Sequence, residues 1–143
     1  MKASNLHDFW ASPDNNRLTS KQFSFRLPTH IAAKIAALCE MFPSKNRTQI
    51  VADLLTSALD ELEQDLPEAL GLPLDEQEQH EQDSIANHLG EPIERCYYLG
   101  GAKGQFHDLA NKFFQDYEID LGNESPTPLY NQRYVTESGF KKD

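Results

Sequence analysis

The 143-residue chain lacks most of the features that mark large protein classes. It has two cysteines, Cys39 and Cys96. They are far apart and show no metal-site or scaffold spacing, so a reduced, cytoplasmic protein is expected. No stretch approaches the roughly 20 consecutive apolar residues that cross a bilayer, and residues 1–20 lack the charged-then-apolar layout of a secretory signal. No serine occupies a nucleophile elbow and neither cysteine has a catalytic setting. An enzyme is not expected, and the sequence assigns no cofactor and no metal. Positive charge is missing over a long stretch: residues 55–94 carry twelve acids and no Lys or Arg.

Apolar residues make up 38% of the chain and charged residues 25%, with a net charge of −10. That balance suits a small module plus an appended region. The charge is unevenly spread. Residues 1–54 hold seven bases and four acids, a balance of +3, whereas residues 55–143 hold six bases and nineteen acids, a balance of −13. Surface charges separated by more than about 10 Å are screened at 0.1 M salt. A mildly basic head can therefore meet phosphate despite an acidic tail.

Residues 1–20 read as a polar, flexible arm with one apolar knot, Phe9-Trp10. Residues 21–27 alternate strictly. Phe23, Phe25 and Leu27 fall on one face and Gln22, Ser24 and Arg26 on the other, a period-2 strand signal stopped by Pro28. So short a strand is not stable alone and has no neighbouring hairpin partner, which points to pairing between two chains. Thr29 is a candidate N-cap for a helix whose stripe is Ile31, Ile35, Leu38, Cys39 and Phe42. After Pro43-Ser44, Asn46-Arg47-Thr48-Gln49 reads as a capping box. It opens a second helix with Ile50, Val51, Leu54, Leu55, Ala58, Leu59 and Leu62, an apolar arc wide enough to be buried on more than one side.

The physical reading follows from the orphan strand. Pairing it with its copy in a second subunit would satisfy the ladder and make a two-stranded antiparallel ribbon. Phe23, Phe25 and Leu27 would cap a dimer core shared with Ile31, Ile35, Leu38, Ile50, Leu54, Leu55 and Leu59. The outer face would present Gln22, Ser24 and Arg26 twice, and a two-stranded ribbon fits the DNA major groove. The start of the second helix, flanked by Lys45, suits a backbone phosphate.

Gln22-Phe23-Ser24-Phe25-Arg26-Leu27-Pro28 and Asn46-Arg47-Thr48-Gln49-Ile50 together resemble the ribbon-helix-helix family of Arc, MetJ and CopG-type repressors, over about 40 of 143 residues. The resemblance implies that Gln22, Ser24 and Arg26 read bases. It further implies that the amides of Asn46, Arg47 and Thr48, with the Lys45 and Arg47 side chains, clamp phosphate; Lys21 is expected to add a phosphate contact. It also implies a homodimer and two dimers side by side on an operator. Phe42-Pro43-Ser44 replaces the glycine usual in the family's inter-helix turn, and Ser24 is short for base readout.

Beyond the head, residues 67–92 read as an acidic, partly disordered linker with a weak polar helix over 75–87. Residues 93–143 read as a small region with one strand near Cys96-Tyr97-Tyr98-Leu99 and one amphipathic helix over 105–118. Gly100-Gly101-Ala102-Lys103-Gly104 between them reads as a loop, and it lacks the order of a phosphate-binding P-loop. Five histidines, His7, His30, His80, His88 and His107, show no zinc spacing, and the separations of His80, His88 and Cys96 fit neither one helical face nor a ligand pair. Asp60, Glu61, Glu63 and Asp65 sit at a helix C-terminus, where the dipole disfavours them, and a basic partner would relieve that.

The expected fold is thus mainly α, a ribbon-helix-helix module at 21–66 followed by an acidic, partly helical region. The expected function is a dimeric, repressor-like transcriptional regulator that binds DNA. One alternative is an antitoxin whose acidic C-terminal region binds a basic toxin. The other is an interaction subunit that uses the module only to dimerise.

Overall fold

The computed structural model describes residues 18–140; the expected arm and its Phe9-Trp10 knot lie largely outside them. The chain divides into two compact units that meet between Asp65 and Leu66. Across the described residues there are four helices and one three-stranded antiparallel sheet. No helix of the described residues is long and apolar enough to cross a membrane.

The first unit is a helical pair. Helix α1 spans Thr29–Met41 and α2 spans Arg47–Asp65. Thr29 is the first helical residue and not the cap. Pro28 holds that place, its fixed φ of −54° leading into the helix and its carbonyl accepting the N–H groups of Ile31 at 3.1 Å and Ala32 at 3.0 Å. The α1 end is closed by the Phe42 N–H donating to the Leu38 carbonyl at 3.0 Å. Between the helices, Ile50 is fully buried, and Leu38, Cys39, Phe42 and Leu54 pack against it.

The second unit runs β1 (Ala69–Pro73), α3 (Glu76–Leu89), β2 (Cys96–Gly100), α4 (Gly101–Asp120), β3 (Tyr134–Thr136) and a short 3-10 turn, Glu137–Phe140. The sheet order is β1-β2-β3. The stretch 67–92, expected as a linker, therefore contributes an edge strand and a 14-residue helix. Asp75 makes that helix possible: its side chain accepts the Glu78 N–H at 2.8 Å, and Glu76 and Glu78 favour the positive end of the helix dipole. Gly90, at φ 72°, ends it.

Glycines let the backbones of this unit approach closely. Ala69 pairs with Gly100 and Leu70 with Leu99, then the register slips before Pro73 meets Tyr97, so β1 carries a bulge at Gly71-Leu72. A Cβ on Gly71 would stand 2.6 Å from the Tyr98 carbonyl oxygen. The expected loop over 100–104 is instead a direct strand-to-helix junction. Its Gly104 is buried in α4 with the Leu99 carbonyl against it, where no side chain fits. Helix α4 consequently starts four residues earlier than the apolar pattern over 105–118 predicts.

A carboxylate ties the sheet to α3. Tyr98 on β2 and Tyr134 on β3 are direct cross-strand partners, with ring centroids 5.9 Å apart. Both hydroxyls donate to Glu78, Tyr98 at 2.5 Å and Tyr134 at 3.1 Å. Donating to that carboxylate pushes the Tyr98 hydroxyl up to about 12. Burial, aided by Glu78, raises Tyr134 as well. The folded protein keeps these protons where an unfolded chain, titrating near 10, releases them, so stability falls as pH rises from about 10 toward 12. Absorbance titration of the tyrosines should show a component ionising near 12, and Glu78→Gln should return it toward the ordinary range.

Candidate nucleic-acid interface

The segment preceding α1 is where the sequence places its ribbon. Residues 18–30 are exposed throughout, and residues 21–27 form no ladder among the described residues. The rings of Phe23 and Phe25 lie parallel within 6°, with centroids 6.4 Å apart. That separation is close to the roughly 6.6–6.8 Å between residues i and i+2 of an extended chain. Phe23 is 59% exposed, Phe25 75% and Leu27 49%. Lys21, Gln22, Ser24 and Arg26 are exposed too. The Lys21 N–H is fixed locally, donating to Thr19 Oγ1 at 3.2 Å.

The second element is the start of α2, where the capping box forms in both directions. The Gln49 N–H donates to Asn46 Oδ1 at 2.8 Å, and the Asn46 N–H donates to Gln49 Oε1 at 3.0 Å. The next two helical amides, Arg47 and Thr48, have no intrahelical acceptor by geometry. The first turn contains no acid. Lys45, whose own N–H donates to the Phe42 carbonyl at 3.1 Å, and Arg47 place cations at the positive end of a helix dipole. That placement is mildly unfavourable for the helix and favourable for an anion beside it.

The residues expected to form the dimer core fall into two sets. Ile50 is buried with Leu38 and Leu54 half-buried against it, and Ile31 and Ile35 are half-buried along α1. Phe23, Phe25, Leu27, Leu55 and Leu59 remain exposed, together with Leu62. At 3.6 residues per turn, Ile50, Asp53 and Ser57 share one side of α2, while Leu55, Leu59 and Leu62 share the opposite side. The side buried within one chain is thus partly polar: Asp53 and Ser57 are 2% and 1% exposed. Sequence reading missed this pair. The signal was a single acid standing inside an otherwise apolar helical stripe.

Other sequence candidates resolve differently. The glycine-rich junction over 100–104 does not cradle an anion, because the chain before β1 already occupies the α4 start. The Lys103 N–H donates to the Pro67 carbonyl at 3.0 Å, and Glu68 stands there, ion-paired to Arg133 and, at 3.5 Å, to Lys103. The Arg133 guanidinium holds the Glu68 carboxyl below the usual range. His107 stacks on Tyr130 at 4.0 Å, and Asn111 takes both the N–H and the carbonyl of Tyr130, at 2.8 and 3.1 Å. These contacts fasten the loop before β3 onto α4. No three of the described His, Cys, Asp and Glu residues form a group that could hold a metal ion. Cys39 is half-buried and Cys96 buried, both as free thiols.

Neither a protein-family model, nor a curated protein, nor a solved structure matches the chain.

The capping box should be measurable on its own. Asn46→Ala should lower the stability of the first unit by about 1 kcal/mol in urea titration, the ordinary cost of losing a side-chain cap.

Proposed function

We propose that the chain is a dimeric DNA-binding regulator of ribbon-helix-helix type, in which residues 21–27 of two subunits form the ribbon. The observation that supports it most is the exposure of this alternating segment. Phe23, Phe25 and Leu27 stand exposed, as do Gln22, Ser24 and Arg26, with which they alternate along the chain. A second copy would pair the backbone and place the apolar side against the likewise exposed Leu55, Leu59 and Leu62, leaving the polar side for base edges. Gln bonds the adenine edge and Arg the guanine edge, so Gln22 and Arg26 carry most of the sequence choice in this reading. Lys21, Lys45, Arg47 and the first α2 amides supply phosphate contacts. Dimers sitting side by side on an operator belong to the same proposal.

The antitoxin reading draws less support, since the acidic region that would order on a toxin already has a sheet and two helices of its own.

Selection of bound fragments from a genomic library at fixed salt tests the proposal and returns site, spacing and stoichiometry together. On a selected site, Arg26→Ala should cost about 1–3 kcal/mol and relax the preference at one base pair per half-site. Lys45→Ala should weaken all sequences alike and reduce the salt slope by about 1. Phe25→Ser should convert dimer to monomer by light scattering and abolish binding with it. A stable dimer that selects no DNA at low salt would leave the head as a dimerisation device alone.

A further inference from the structure

Helix α3 leaves one side of the second unit uncovered. Ile85 and Leu89, one helical turn apart, are 51% and 62% exposed, and Ile93 beyond the helix end is 61% exposed. The α3 end folds the chain back on itself, with the Glu91 N–H donating to the Ala86 carbonyl at 2.8 Å and the Gly90 N–H to that of Asn87 at 3.2 Å. Residues 91–95 then return alongside the helix. Gln79 fixes their path, its Nε2 donating to the Glu94 carbonyl at 2.9 Å and its Oε1 accepting the Cys96 N–H at 2.8 Å.

Between α3 and this returning segment lies a cleft of about 270 Å³ walled by Asp83, Glu91 and Glu94, with Ile85, Ala86 and Pro92 as its apolar parts; no Lys, Arg or His lines it. Among the described residues no cation pairs with any of the three carboxylates. Asp83 accepts from Gln79 and Glu94 from Ser138, each at 2.8 Å, which leaves acceptor capacity on both. Burial raises the Cys96 thiol at the cleft, and the charges of Asp83 and Glu94 add to it. The cleft falls below the roughly 300–1,000 Å³ of small-molecule pockets, and its carboxylates do not converge on one point as a metal ion requires.

We propose that this face of α3 docks a basic, amphipathic helix of a partner protein, one Lys or Arg side chain entering the cleft while neighbouring aliphatic side chains cover Ile85 and Leu89. Charge complementarity selects this occupant. Residues 66–140 carry fourteen acids and four bases, and two of those bases, Lys103 and Arg133, are engaged with Glu68. A second copy of so acidic a unit would be repelled from the same face, whereas a basic helix gains both charge and apolar contact there.

The test uses the full chain and a labelled synthetic helical peptide with leucines on one face and Lys and Arg flanking them, read by fluorescence anisotropy. Saturable binding is expected. Glu91→Gln with Glu94→Gln, and separately Ile85→Ser with Leu89→Ser, should each weaken it about tenfold, the loss typical of an interface anchor. All four side chains are exposed, so circular dichroism and the unfolding midpoint should stay unchanged. A peptide of the same composition scrambled to destroy its apolar face should also bind about tenfold more weakly. The proposal is overturned if the two peptides bind equally, if neither double variant alters binding, or if the intact peptide does not bind. It is also overturned if Ile85→Ser with Leu89→Ser lowers the oligomeric mass while peptide binding persists, since a second copy would then be the occupant.

Discussion

Ile50 sets the terms for the first unit. Among the described residues of that unit it is the large apolar side chain that reaches full burial, with Leu38, Cys39, Phe42 and Leu54 only partly covered around it. Two helices and an extended lead-in of this size are marginal without more burial, because small domains remove too little surface from water to offset chain entropy. Meanwhile Phe23, Phe25, Leu27, Leu55, Leu59 and Leu62 stand about half or more exposed. Covering each would contribute on the order of 1 kcal/mol. The exposed side of α2 is opposite the Ile50 side, so rearrangement within one helix pair cannot bury both. Covering the Leu55 side would take a surface outside this helix pair, and in the proposed dimer the segment before α1, with Phe23, Phe25 and Leu27 exposed, would supply it.

The second unit meets the same shortage of core by different means. Its large buried apolar side chains are few, Leu74 and Val135 with the Cys96 thiol, and polar contacts and close backbone approaches hold the rest. Glu78 gathers two tyrosine hydroxyls from adjacent strands, Glu68 gathers Arg133 and Lys103, and Asn111 grips the Tyr130 backbone. Each of these joins residues far apart in sequence, and no buried side-chain polar atom among the described residues lacks a hydrogen-bond partner. Such satisfied networks fix one arrangement even where their net contribution to stability is small.

The legibility of the sequence follows that division. Elements carried by local rules were readable: α1 from its apolar stripe, α2 from the reciprocal Asn46 and Gln49 cap, α3 from Asp75 onward, and most of α4 from its aromatics. Elements that exist through long-range pairing were not. Strand β1 contains Gly71 and Pro73, which read as breakers; they are tolerated because β1 is an edge strand with a bulge. Strand β3, three residues long, follows two prolines and shows no alternation to notice. Gly101 and Gly104 read as loop formers, yet they admit the close packing of α4 on β2. Glu78 looked like one acid among many, since its tyrosine partners lie 20 and 56 residues away. At the candidate interface the alternation over residues 21–27 was plain from sequence, whereas the burial of Asp53 and Ser57 was not, because burial of a polar pair depends on what lies over it.

Charge separates what the two units can do. Among the described residues the head carries Lys21 and Arg26 before α1, Lys34 within α1, and Lys45 and Arg47 at the acid-free start of α2. The acids begin in the last turns of α2 and continue through α3, and at the cleft beside Ile85 they meet no cation. At physiological ionic strength exposed charges are screened beyond about 8 Å, so the net charge of the whole chain does not decide what each local surface would attract. In the proposed DNA-binding role, the modest positive balance would also limit indiscriminate binding, which grows with the number of phosphates neutralised. Affinity for a particular site would in that role have to come from Gln22, Ser24 and Arg26, and that requirement would make their alternation with Phe23, Phe25 and Leu27 in the sequence, rather than the overall charge, the informative feature of the head.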